Sequence, residues 1–237
     1  MKSYRTIQQS GENEIVIEKS RFIAHCRYVE TVEEAENFIH EMKKKYYDAT
    51  HNVSAYRLMM EPLVEKSSDD GEPSGTSGLP MLSVLRQLNL YNVCVVVTRY
   101  FGGIKLGKGG LVRAYSQSAA QGVKQTGIVS KEVHQVMSLK MDYTLYGKVK
   151  NEVEKRGFLL KDTLFSDMVE LQLYVKEEEV KLLEEKIKNL EKFWDILELD
   201  DGTERKIIKK MGIKNEDEIE RVMKSKGNDE LKRKYYY

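Results

Sequence analysis

Residues 92–127, NVCVVVTRYFGGIKLGKGGLVRAYSQSAAQGVKQTG, set the architecture of the first half of the chain. The opening NVCVVVTRY is an apolar run next to turn residues, the pattern of a strand buried on both faces. The closing LVRAYSQSAAQGVKQTG predicts a helix that begins just beyond the glycines. Between them lie Gly102, Gly103, Gly107, Gly109 and Gly110. Glycines admit positive φ and a close backbone approach, and a helix N-terminus offers free N–H groups to an oxyanion. The same glycines also suit a tight turn between closely packed layers.

Neither nucleotide-binding motif is met. Gly102 to Lys108 satisfies G-x-x-x-x-G-K, but Gly109 stands where a P-loop needs a Ser or Thr hydroxyl for magnesium. The dinucleotide fingerprint fails at Val112, which follows Gly107 and Gly109 where the third glycine belongs. Nucleic-acid phosphate, free phosphate and a carboxylate remain as ligands. The surrounding charge favours an anion, because no Asp or Glu occurs between Glu72 and Glu132. Arg86, Arg99, Lys105, Lys108, Arg113, Lys124 and Lys131 all fall in that window.

Working outward, the first thirty residues alternate with period two and predict an antiparallel start. Thr31 with Glu34 reads as an N-cap for a helix to about Lys45, with Ala35, Phe38, Ile39 and Met42 on its buried face. HNVSAYRLMM resumes as a strand. From Met81, the residues Leu82, Leu85, Leu88 and Leu90 predict a further helix. Beyond a boundary at residues 130/131 the order becomes strand, helix, strand, strand, helix, strand up to residue 200, a split-βαβ pattern. The fold class is α+β, with two α/β sandwich domains over 1–130 and 131–200. Residues 201–237 form a tail dense in both charge signs, read either as two short helices packed on the second domain or as a partner-dependent segment.

The loop SSDDGEPSGTSGLP, residues 67–80, supplies Asp69, Asp70 and Glu72 as acids and Ser74, Thr76 and Ser77 as hydroxyls. Asp70 and Glu72 are candidates for acid/base work, although Asp-Gly and Pro-Ser-Gly are turn formers in their own right. The four histidines show no metal-ligand spacing, so no metal is expected, and no other cofactor. The two cysteines, Cys26 and Cys94, read as reduced core thiols. The net charge of +1 argues against a protein that is basic all over and leaves nucleic-acid binding to a local patch. No window approaches a membrane span, and a cytoplasmic protein is the expectation.

DDGEPSGTSGLP, followed about two dozen residues later by VVVTRYFGGIKLGKGGLVRAY, resembles the paired signature of the IMPACT (YigZ-type) family in its bacterial two-domain form. SRFIAH and YDATHNVSAYRL are also family-like. The resemblance implies a first domain folded like the second domain of ribosomal small-subunit protein five, and a ferredoxin-like second domain similar to the last domain of the translocation elongation factor. It also implies a role in translation or its control under stress, with RNA, the ribosome or a protein as partner. The family's recurrent positions fall on Asp70, Gly71, Glu72, Pro73, Gly75 and Thr76 in the acidic loop. In the glycine loop the anion-binding set is Arg99, Tyr100, Gly102, Gly103, Lys105, Gly107, Lys108, Gly109, Gly110 and Arg113. The leading expectation is an anion- or nucleic-acid-binding protein; the alternative is an enzyme acting on a phosphorylated small molecule where the two loops meet.

Overall fold

The computed structural model describes residues 3–176 and 179–180, together with the strands at 196–200 and 205–210. The chain divides into two compact units, with residues 4–130 in one and residues 131–209 in the other. In the first, β1 (Tyr4–Ile7) precedes the hairpin β2 (Gly11–Ile17) and β3 (Ser20–Tyr28). There follow α1 (Val32–Lys45), β4 (His51–Leu58), β5 (Val64–Ser68), α2 (Gly78–Gln87), β6 (Val93–Tyr100) and α3 (Gly107–Thr126). The antiparallel sheet has the order β2-β3-β6-β4-β5.

The central strand β6 explains the unbroken valine run. Val93, Val95 and Val97 join the core beneath α2 and α3, with Phe22, Ala24, Val53, Leu85 and Tyr115. Cys94 and Val96 face the other way, into the core under α1 with Phe38, Ile39 and Met42. A strand covered on both faces needs apolar side chains at both parities. Thr31 caps α1 as the sequence implied, accepting the N–H of Glu34 at 3.1 Å.

Two local expectations are corrected, and two features go beyond the sequence reading. The helix α3 begins at Gly107 rather than beyond the glycines, so Gly107, Gly109 and Gly110 fall in its first turn, where the backbone N–H groups have no intrahelical partner. The helix α2 ends at Gln87: Asn89 takes φ 52°, the Leu90 N–H closes on the Leu85 carbonyl, and Leu88 and Leu90 enter the core from outside the helix. The strand β5, VEKSS, was not anticipated; at a sheet edge its alternation is mostly polar. Finally, β1 lies apart from the β2-β3 hairpin in the sheet order and pairs with β7.

The strand β7 (Ile128–Met141) leads into the second unit, followed by α4 (Tyr143–Lys155), β8 (Leu159–Phe165), β9 (Val169–Lys176), β10 (Ile196–Asp200) and β11 (Arg205–Lys210). β10 and β9 flank β7 and β8 pairs with β9, all antiparallel, giving the order β10-β7-β9-β8 of a ferredoxin-like sheet. Val169, Leu171, Leu173 and Val175 of β9 pack with Met137, Leu139 and Met141 of β7 and Val149 and Val153 of α4. Gly157, at φ 75°, follows the end of α4 and lets the chain turn out of the helix. The helix expected over residues 177–192 falls almost wholly outside the described residues. The helical reading of the tail is corrected at residues 205–210, where β-branched Ile207 and Ile208 lie in a strand paired with β7. The rest of the tail lies outside the described residues.

Candidate functional site

Strand register brings Phe22 of β3, Arg99 of β6 and His51 of β4 side by side, with Arg99 directly opposite both neighbours. Above this row lie Tyr115 from α3 and Glu72 from the acidic loop. The Phe22 and Tyr115 rings meet edge to face, with centroids 5.2 Å apart. One Glu72 oxygen, Oε1, accepts from Arg99 Nη1 at 2.6 Å and from the Tyr115 hydroxyl at 2.8 Å. The other, Oε2, lies 3.8 Å from His51 Nε2. The two sequence motifs are therefore halves of one buried cluster, Glu72 being 8% and Arg99 5% exposed. Burial, and then the Glu72 carboxylate, push the Tyr115 phenol far above its ordinary range, so it stays a donor.

The other acids of the loop are also engaged. Asp69 accepts three backbone N–H groups, from Gly75 at 2.7 Å, Ser77 at 3.1 Å and Gly78 at 2.8 Å, and so fastens the start of α2. Gly78 is required there, since a Cβ would sit 2.9 Å from the backbone of Ser68. Asp70, at φ 46°, accepts from Lys43 Nζ at 2.5 Å and from the Asn52 N–H at 2.6 Å. Its carbonyl oxygen accepts from His51 Nδ1 at 2.8 Å, which puts a proton on that nitrogen. The Thr76 hydroxyl donates to the Pro73 carbonyl. Gly71 and Gly75 hold φ values of 87° and 73° in the turns between these anchors.

The glycine loop is pinned by hydrogen bonds at Phe101 and Gly102 and packs Leu106 against the core, leaving residues 103–105 and 107–109 exposed. The Phe101 N–H donates to Thr50 Oγ1 at 3.0 Å, and the Gly102 N–H donates to Ser20 Oγ at 3.1 Å. A Cβ on Gly102 would lie 2.0 Å from the Lys19 backbone, so only glycine fits that crossing. Gly103 and Gly107 take φ values of 84° and 69° with nothing near them. Lys105, Lys108 and Arg113 are exposed, as are Gly107 and Gly109. The first turn of α3 contains no acid, and Leu106 at its N-cap provides no side-chain hydrogen bond. Tyr100, by contrast, donates its hydroxyl to Asp48 at 2.9 Å, under the Arg21 guanidinium.

Of the expected anion-binding residues, Gly103, Lys105, Gly107, Lys108, Gly109 and Arg113 are thus exposed, Gly102 and Gly110 are half-buried, and Arg99 is turned inward onto Glu72. Sequence reasoning gave no role to Ser20, Lys43, Thr50 or His51, all of which hold the two loops in place. Ser20 lies in SRFIAH, and Thr50 and His51 lie in YDATHNVSAYRL. Among the described residues no three His, Cys, Asp or Glu side chains gather as metal ligands would. None of the described helices is long and apolar enough to cross a membrane. Cys26 and Cys94 are buried and unpaired, and burial pushes the Cys26 thiol up to about 12.

The Impact N-terminal domain model matches residues 18–123, which contain the whole cluster. A second model, described as a domain of unknown function (DUF1949), matches residues 139–190. IMPACT family member YvyE of Bacillus subtilis is 49% identical over 183 residues, 77% of this chain and 84% of that protein. The chain belongs to the IMPACT family. IMPACT family member YigZ of Escherichia coli is 40% identical over 111 residues, 46% of this chain and 54% of its own length. A solved structure described as a hypothetical protein shares 26% identity at a TM-score of 0.54, covering 86% of this chain and 98% of its own.

Proposed function

We propose that this IMPACT family member binds the phosphate backbone of RNA, free or on the ribosome, in association with translation or its regulation under stress. The binding residues are Lys105, Lys108, Arg113 and the backbone of 107–110. In this reading residues 1–130 form the binding domain, 131–200 a ferredoxin-like domain and 201–237 the charged tail. One observation carries it: Lys105, Lys108 and Arg113 are exposed and, among the described residues, make no ion pair, while Asp69, Asp70 and Glu72 of the acidic loop are all engaged within the fold. Exposed cations beside uncapped N–H groups attract an anion, and internally paired carboxylates do not repel it. The enzyme alternative gains nothing from this geometry, because Glu72 is buried against Arg99 and Tyr115 and both Asp70 oxygens are engaged.

The test is a salt titration of RNA binding. Lys105→Ala and Arg113→Ala should each weaken binding and reduce the slope of log affinity against log salt by about 0.7, the value for one single-strand phosphate contact. Unchanged affinity and slope in both variants would remove the glycine loop as the site.

A further inference from the structure

Three aromatic side chains belong to the glycine stretch, and the fold leaves one of them available. Tyr115 is buried and hydrogen-bonded to Glu72, and Tyr100 is tied to Asp48. Phe101 is 47% exposed. Its backbone is fixed on both sides of the ring, by its own N–H on Thr50 and by the Gly102 N–H on Ser20. Beneath the ring lies the Arg99 guanidinium, 5.6 Å from its centroid and itself locked by Glu72. The buried acid–base cluster thus serves as a rigid seat for an exposed ring. Exposed Ile104 and Lys105 follow directly along the open part of the loop, and Lys105 lies within about 14 Å of chain from Phe101. Exposed Lys19 adds a cation where the hairpin turn meets Gly102, and exposed Glu18, in the same turn, is the acid nearest in sequence to it.

We propose that Phe101 is a stacking platform for one unpaired base, so that the site selects single-stranded over duplex nucleic acid. This rests on the phosphate-binding reading above and adds what cations alone do not supply. Lysines and arginines attract the phosphates of single strands and duplexes alike. An exposed ring distinguishes them, because every base has a face to stack and a duplex has already stacked its own. Stacking of this kind is tolerant of sequence, so the selectivity is for strandedness rather than for a particular base.

The experiment measures fluorescence anisotropy of the full chain with a labelled oligouridylate of about twelve nucleotides, a typical single-strand site size, and with an RNA duplex of equal length. Phe101→Ala should weaken single-strand binding by about 5- to 140-fold, the loss of one stacked base. The salt slope and duplex affinity should stay where they were, and Phe101→Trp should restore single-strand binding. Lys105→Ala should lower the slope for both probes. If Phe101→Ala leaves single-strand affinity unchanged while Lys105→Ala still lowers the slope, the stacking proposal is overturned and the phosphate reading stands. An equal loss for single strand and duplex in Phe101→Ala overturns it as well, since the ring then acts only through the fold. Failure of the wild-type chain to bind either probe overturns both.

Discussion

Arg99 shows how a residue that reads as a surface cation becomes a structural one. At 5% exposure its charge is balanced inside the fold by Glu72, and its guanidinium also lies 5.3 Å from the Phe22 ring. Breaking a buried pair from one side leaves a charge with no partner, which costs more than the pair contributes when intact. Arg99→Ala should therefore lower unfolding stability by about 3–5 kcal/mol. Tyr115→Phe, which removes one neutral donor from the same carboxylate, should cost about 1–3 kcal/mol. Urea denaturation checks both, and a larger loss for Tyr115→Phe would contradict the assignment of Arg99 as the main partner of Glu72. The acid-free window around Arg99 was legible in the sequence as a basic region. That Arg99 turns inward was not, because strand parity places it with Val95 and Val97, while its counter-charge comes from a loop 27 residues away.

At the scale of elements, the acidic loop acts as a connector with its own internal caps. Asp69 stands nine residues before Gly78, yet its carboxylate occupies the place of an N-cap side chain for α2, whose own Ser77 makes no side-chain cap hydrogen bond. Asp69→Ala should cost about 1–2 kcal/mol, the upper range for losing an N-cap acceptor. Asp69→Asn, which keeps one acceptor oxygen, should cost less, as thermal or urea unfolding would show. Elements with a strong period were readable from sequence: α1 with its Thr31 cap, β6 with its double-sided apolar run, and β8 and β9 as a pair. The start of α3 and the edge strand β5 were not, because uncapped glycines and a mostly polar alternation give a weak local signal. The capping role of Asp69 is invisible in sequence because helix caps are sought adjacent to the helix.

For the whole molecule, stability has a pH dependence that comes from its core. His25 is 4% exposed, stacked on Tyr46 at 4.8 Å, with Nε2 unpartnered and Nδ1 3.4 Å from Glu12. Burial lowers its pKa, and Glu12 offsets this only in part. A histidine held neutral in the native state gives its full contribution above its unfolded pKa of about 6.5. That contribution is lost as pH falls from there toward the depressed native value, because the unfolded chain takes up the proton first. Denaturation midpoints measured at about pH 7.5 and about pH 5.5 should show the chain less stable at the lower pH, with a smaller difference in His25→Phe. By itself the sequence determined the two-domain α+β order, the paired loop motifs and the basic window, since periodicity, turn chemistry and charge are local along the chain. Only the tertiary structure decided which charges are available. Sheet parity and loop closure bring Glu72, Arg99 and Tyr115 into one buried cluster, and they leave Lys105, Lys108, Arg113 and Phe101 outside it.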